Sequence, residues 1–152
     1  MKRAKDQFKT EIEVKNLHPK FSVSLAQTKR FIRQVLKKEK IKACSLTLLI
    51  VGDSHIRALN KKYLRKDLPT DVLSFDLKYP GASRKSMVGD IVVSVDAAAR
   101  VSRELSLDFK QEVLRYIVHG ILHLTGYDDT APAEKKKMWK RQEELLAKGR
   151  SK

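Results

Sequence analysis

From Val113 to Leu124 the chain is apolar at nearly every position, and the exceptions, Arg115, His119 and His123, recur every four residues. A helix that is apolar all round is a buried helix, and a polar stripe along it must meet polar partners or an ion, because unpaired buried polar groups are costly. The segment therefore has to be wrapped by other elements while its polar edge forms the wall of a site. His119 and His123 stand one turn apart on the same side, with side-chain origins roughly 5 to 6 Å apart, close enough to share one metal ion. Gly126 follows, a residue type that ends helices by turning left-handed, and such a turn swings Asp128 or Asp129 back toward the imidazoles. Two ring nitrogens and a carboxylate oxygen suit zinc with a position left open for water.

The rest of the chain supplies elements to wrap that helix, in the order β-α-β-α-β-β-α-α-α. Glu11–Lys15 alternates apolar and charged residues as a short strand does. Leu25, Thr28, Phe31, Ile32, Val35 and Leu36 recur at helical spacing over about 24–40, with Ser22 or Ser24 as cap. Cys44–Val51 reads as a strand buried on both faces, and Asp53 or Ser54 caps a helix running to about Tyr63. Val72–Leu77 and Asp90–Ser94 are further strands, separated by an exposed loop over 78–88 that contains Pro80-Gly81. Three helices close the chain: one from Val95 to Leu105, one from Phe109 to Leu124, and one from Ala133 to about Lys148 capped by Thr130. These elements predict an α+β fold, a mixed four-stranded sheet with about five packed helices. A single domain over 1–152 is expected, with frayed basic termini at 1–10 and 149–152.

Composition narrows the partners. Lys and Arg number 33 against 18 Asp and Glu, a net charge of +15, and an excess of one sign this large favours a polyanion such as nucleic acid. Aromatic residues are only 7% of the chain and are not interleaved with the basic ones, so no base-stacking platform is expected and shape and phosphate contacts would have to dominate. The Lys135-Lys136-Lys137 run beside Trp139 reads as a solvated helix face able to grip phosphates. One cysteine, Cys44 in an apolar run, excludes an internal disulfide and reads as a small core residue. No apolar run approaches the ~20 residues of a membrane span, so a cytoplasmic protein with no membrane partner is expected. His18 and His55 lie far from the motif and are assigned no role.

The spacing His-x3-His-x2-Gly-x2-Asp resembles the zinc motif of metzincin-type proteases, H-E-x-x-H-x-x-G-x-x-H, with two departures. Gly120 occupies the position of the glutamate that serves those proteases as general base, which turns the expectation away from peptide hydrolysis. The last ligand position carries a carboxylate. The whole run H-G-I-L-H-L-T-G-Y-D-D resembles the signature H-G-x-L-H-L-x-G-Y-D-H of the YbeY family of metal-dependent endoribonucleases. Leu59-Asn60, the segment from Pro69 to Phe75 and Gly89-Asp90-Ile91 also match. The resemblance covers about 10–148. It implies a zincin-like fold, one zinc ion and no small-molecule cofactor. It further implies cleavage of single-stranded RNA in ribosomal RNA maturation and ribosome quality control, and association with the small ribosomal subunit.

Carried over residue by residue, the family pattern gives His119, His123 and Asp129 as metal ligands, Asp129 standing where the family has histidine and Asp128 matching the family's own aspartate. The family places an arginine directly after the tyrosine of its N-x-x-Y-R segment, where this chain has Leu64. Arg65, one position later, is the candidate substitute, with Arg115 or Lys66 as other sources of positive charge. Zinc would then polarise the scissile phosphate or activate water while Arg65 or Arg115 neutralises a phosphate oxygen. The family match gives Asn60, Thr70 and Asp71 as substrate-binding candidates, and Lys66 joins them as an alternative source of charge for phosphate. Two rival readings remain: a hydrolase of the metalloprotease type, and a non-catalytic ribosome-associated factor with structural zinc.

Overall fold

The computed structural model describes residues 10–150. Its strands are β1 (Thr10–Asn16), β2 (Ala43–Val51), β3 (Val72–Asp76) and β4 (Ser86–Ser94). Its helices are α1 (Leu25–Lys38), α2 (Asp53–Leu64), α3 (Val95–Leu105), α4 (Phe109–Leu124) and α5 (Pro132–Arg150). The fold is α+β with the element order predicted above. Of the expected frayed termini, 1–9 and 151–152 lie outside the described residues, Thr10 opens β1, and 149–150 continue α5. Among the described residues no helix is long and apolar enough to cross a membrane.

The sheet has the order β1-β2-β4-β3, with β1 parallel to β2, β2 parallel to β4, and β3 antiparallel to β4 at the edge. Strand alternation divides its side chains between two faces. Leu46, Leu48 and Ile50 of β2 point with Ile12, Val14, Met87, Ile91 and Val93 into the main core, closed by Phe31, Ile32 and Val35 of α1 and Ile117 and Ile121 of α4. The opposite face is smaller: Val51, Leu73 and Val92 pack under Ile56 of α2. β2 is consequently not buried on both faces along its length, since Ser45 is exposed and only the end beneath α2 is covered. Cys44 is buried in the main core, and burial pushes its thiol up to about 11, which leaves it unreactive.

Three local differences from the expected elements have physical causes. β4 starts at Ser86 rather than Asp90, shortening the loop before it. Gly89 lies inside β4, where a side chain would press on β3: an added Cβ would lie 2.5 Å from the Phe75 carbonyl oxygen and 3.0 Å from Leu124. At α2 the cap residue is Gly52, which has no side chain to offer. Asp96 of α3 takes over from a distance, its Oδ2 accepting from the Asp53 amide at 2.7 Å while its Oδ1 accepts from His18 Nε2 at 2.9 Å. His18 thereby clasps the end of β1 to α3, a structural role the sequence did not suggest. Thr130 does not cap α5, because Asp128 engages it and the first-turn bond runs from the Lys135 amide to the Ala131 carbonyl.

Candidate metal centre

α4 lies across the sheet with its polar stripe turned to a cleft beside the edge strand β3. Its start is set by Asp108, whose side chain accepts from the Gln111 amide. Its end is a left-handed glycine cap: Gly126 adopts φ +107°, its amide donates to the His123 carbonyl, and the Tyr127 amide reaches back to the Leu122 carbonyl. Tyr127 then packs against the main core. With the chain so reversed, Asp129 returns to the two imidazoles. Asp128 is engaged elsewhere, both its oxygens accepting from Thr130, and those hydrogen bonds hold its carboxyl below the usual carboxylate range.

Three basic atoms converge. His119 Nε2 and His123 Nε2 are 3.2 Å apart, and Asp129 Oδ2 lies 3.6 Å and 3.5 Å from them. Tetrahedral zinc with ligands at about 2.0–2.1 Å separates its ligand atoms by about 3.3–3.4 Å, so this triangle has the size of one face of a zinc site. The cluster can hold a metal ion. A fourth residue prepares it: His119 Nδ1 lies 3.0 Å from Gln142 Oε1 of α5. The Gln142 amide is oriented by its Nε2 donating to Glu143 at 3.2 Å, which leaves only an acceptor facing the ring. His119 therefore carries its proton on Nδ1 and presents a lone pair at Nε2, the tautomer a metal ligand requires.

Arg115, the first member of the stripe, is held by carboxylates. It donates through Nε and Nη2 to Glu143 at 2.9 and 3.1 Å and through Nη1 to the buried Glu112, and the Glu143 hydrogen bonds raise its pKa. Its charge is already matched twice over. It acts on the site through Glu143, which aligns Gln142, which fixes His119. Replacing Gln142 with alanine is expected to weaken zinc affinity by roughly 10- to 100-fold, the usual effect of losing such an outer partner; competition with a zinc chelator measures it.

The other candidates are distributed around the cleft. Thr70 and Asp71 line it together with Leu64, Ser74, His119, His123 and Asp129. Of the two alternatives after Tyr63, it is Leu64 that lines the cleft. Arg65 closes α2 in the left-handed region at φ 59° with an exposed side chain, and Lys66 beside it is exposed too. Asn60 is buried, its Nδ2 donating to the Leu68 carbonyl at 2.9 Å, so it holds the loop that leads to Thr70 and does not face the cleft. Gly120 packs against the sheet: an added Cβ would lie 2.8 Å from Ile91 Cγ2 and 3.0 Å from Ser74 Oγ. The volume a metzincin glutamate would need is filled by β3 and β4. Gln142, Glu112 and Glu143 were not singled out in the sequence; only the three-residue spacing of Glu112 and Arg115 hinted at an ion pair.

A buried helix offering two imidazoles and a following carboxylate beside the antiparallel edge of a mixed sheet defines a zincin-like metal-site fold. The solution structure of a protein from Thermotoga maritima superposes with a TM-score of 0.63 at 30% identity, covering 92% of each chain. The chain belongs to the endoribonuclease YbeY family, whose model matches residues 12–150. Among its relatives, the endoribonuclease YbeY of Treponema denticola is 40% identical over 135 residues, covering 86% of this chain and 87% of that protein. That of Aquifex aeolicus is 45% identical over 101 residues, covering 66% and 67%.

Proposed function

We propose that this chain is a zinc-dependent endoribonuclease specific for single-stranded RNA, acting in the cytoplasm on ribosomal RNA of the small subunit during maturation and ribosome quality control. The observation that carries this reading is the triangle of His119 Nε2, His123 Nε2 and Asp129 Oδ2, with sides of 3.2–3.6 Å, in a chain of net charge +15. Family membership supports RNA as the substrate and endonucleolytic hydrolysis as the reaction.

When bound, zinc supplies Lewis acidity toward a phosphate oxygen and lowers the pKa of water. The protein's own part is preorganisation. Gln142 keeps the His119 proton away from the metal face, and the Gly126 turn delivers Asp129. Asp129 would bring to the ligand set a negative charge that three neutral imidazoles would not, and so would moderate the Lewis acidity of an ion held there. Arg65 and Lys66, exposed on the loop that runs on to Thr70 and Asp71, supply positive charge for the RNA backbone. Arg115 supports the histidine and does not neutralise phosphate. The filled volume at Gly120 disfavours the protease reading, because no side chain there can serve as general base. With single-stranded RNA, duplex RNA of the same sequence and casein as substrates, cleavage is expected for the first alone; casein hydrolysis without RNA cleavage would contradict the proposal.

A further inference from the structure

Beside the metal centre a second cavity, of about 590 Å³, opens between α4 and the first turns of α5. It shares His119 and Asp129 with the metal site, its floor includes Val72, Tyr116 and Met138, and its outer wall is Lys135, Lys136 and Trp139. Lys135 and Lys136 precede Trp139 by four and three residues, which on a helix places all three on one face. This pairing of charge with an aromatic ring runs against the expectation from composition that the chain has no base-stacking platform. Met138 is 1% exposed, whereas Trp139 beside it is 57% exposed, so the fold spends Met138 on its core and leaves the indole at the rim, on the side of the two lysines; the carboxylates Asp71, Asp129 and Glu112, the last paired with Arg115, line the cavity elsewhere.

We propose that Trp139 is a stacking platform for an unpaired nucleobase flanking the scissile phosphate, with Lys135 and Lys136 holding the adjoining phosphates. The inference rests on the endoribonuclease reading and extends it to a substrate subsite. An aromatic face next to two ammonium groups matches a nucleotide, which joins a flat base to an anion, and continuity with His119 and Asp129 puts that nucleotide at the reacting position. Bases in a duplex are stacked on each other and cannot lie on the indole, so the platform also gives a physical source for single-strand preference.

Trp139 is the only tryptophan in the chain, so its fluorescence reports stacking directly. The zinc-loaded protein is titrated with a non-cleavable 2′-O-methyl oligoadenylate and with an abasic oligomer of the same length, binding of each being followed by anisotropy of an end label. The base-bearing oligomer is expected to quench the indole and the abasic one to bind without quenching. Trp139→Ala is expected to weaken binding of the base-bearing oligomer about tenfold, equivalent to about 1.4 kcal/mol, and to leave the abasic oligomer unaffected; Trp139→Phe restores most of the loss. Equal quenching by both oligomers, quenching by an acidic peptide alone, or unchanged affinity of Trp139→Ala would overturn the proposal. Quenching without any RNA cleavage would uphold the platform and refute the endoribonuclease reading, whereas cleavage without quenching would do the reverse.

Discussion

Replacing His119 and His123 together by alanine is expected to leave a folded protein that binds no zinc and cleaves single-stranded RNA slower by a factor on the order of a thousand or more. Both side chains lie on the cleft wall, about a third exposed at 30% and 31%, so their removal opens no core cavity. The helix that carries them is held by Ile117, Ile121 and Leu122, each fully buried. What is lost is two of three converging donors, and the lone half-buried carboxylate of Asp129 does not hold a transition metal at cellular concentrations. A Lewis acid contributes several kcal/mol to stabilising charge on a phosphoryl group, and each 1.36 kcal/mol is a factor of ten in rate. The expected loss follows from those two magnitudes. A metal-free double variant that cleaved RNA at the wild-type rate would show that the site is structural and the chemistry lies elsewhere.

The second large effect concerns stability. Gly120→Glu, which restores the protease motif on paper, is expected to destabilise the fold by about 3 kcal/mol or more and to give no peptidase activity. Its side chain would start 2.8 Å from Ile91 and 3.0 Å from Ser74 and continue into a packed interior, carrying a carboxylate with no cation to meet it. Gly120→Ala separates the two causes. In an exposed helix interior such a change is stabilising by about 1 kcal/mol; here overpacking of about 1–3 kcal/mol opposes it, so a net loss is expected. Thermal unfolding followed by circular dichroism measures both. A Gly120→Ala protein more stable than wild type would mean that α4 sits further from the sheet than these distances state.

Much of this site was legible in the sequence because it is local. His119, His123 and Asp129 fall within one helix and its terminating turn, so helical periodicity and the left-handed habit of glycine at Gly126 were enough to bring them together. The boundaries of α4, Phe109–Leu124, emerged for the same reason. What was hidden depends on packing between distant segments. Gln142 and Glu143 reach the site from α5, and nothing in their own neighbourhood distinguishes them from the other polar residues of a basic helix. Periodicity placed Arg115 on the correct face but could not tell that Glu112 and Glu143 already match its charge. The strand was expected to begin only at Asp90, because what Gly89 answers to is the Phe75 carbonyl on the neighbouring strand. The family pattern drew attention to Asn60 without revealing that its role is to hold the Leu68 carbonyl. The lysine run beside Trp139 was legible as a helix face, but that this face borders a cavity shared with His119 and Asp129 depends on how α5 packs against α4.

The central claim is that one zinc ion on His119, His123 and Asp129 is what makes this chain cleave RNA. The most direct test is to strip the protein of metal and add zinc back in measured amounts while following cleavage of single-stranded RNA, in wild type and in Asp129→Ala. Wild-type activity is expected to rise linearly and break at one equivalent of zinc per chain, and Asp129→Ala to need a large excess to reach a lower plateau. Full activity in the stripped wild-type protein, or an Asp129→Ala titration superimposable on that of wild type, would contradict it.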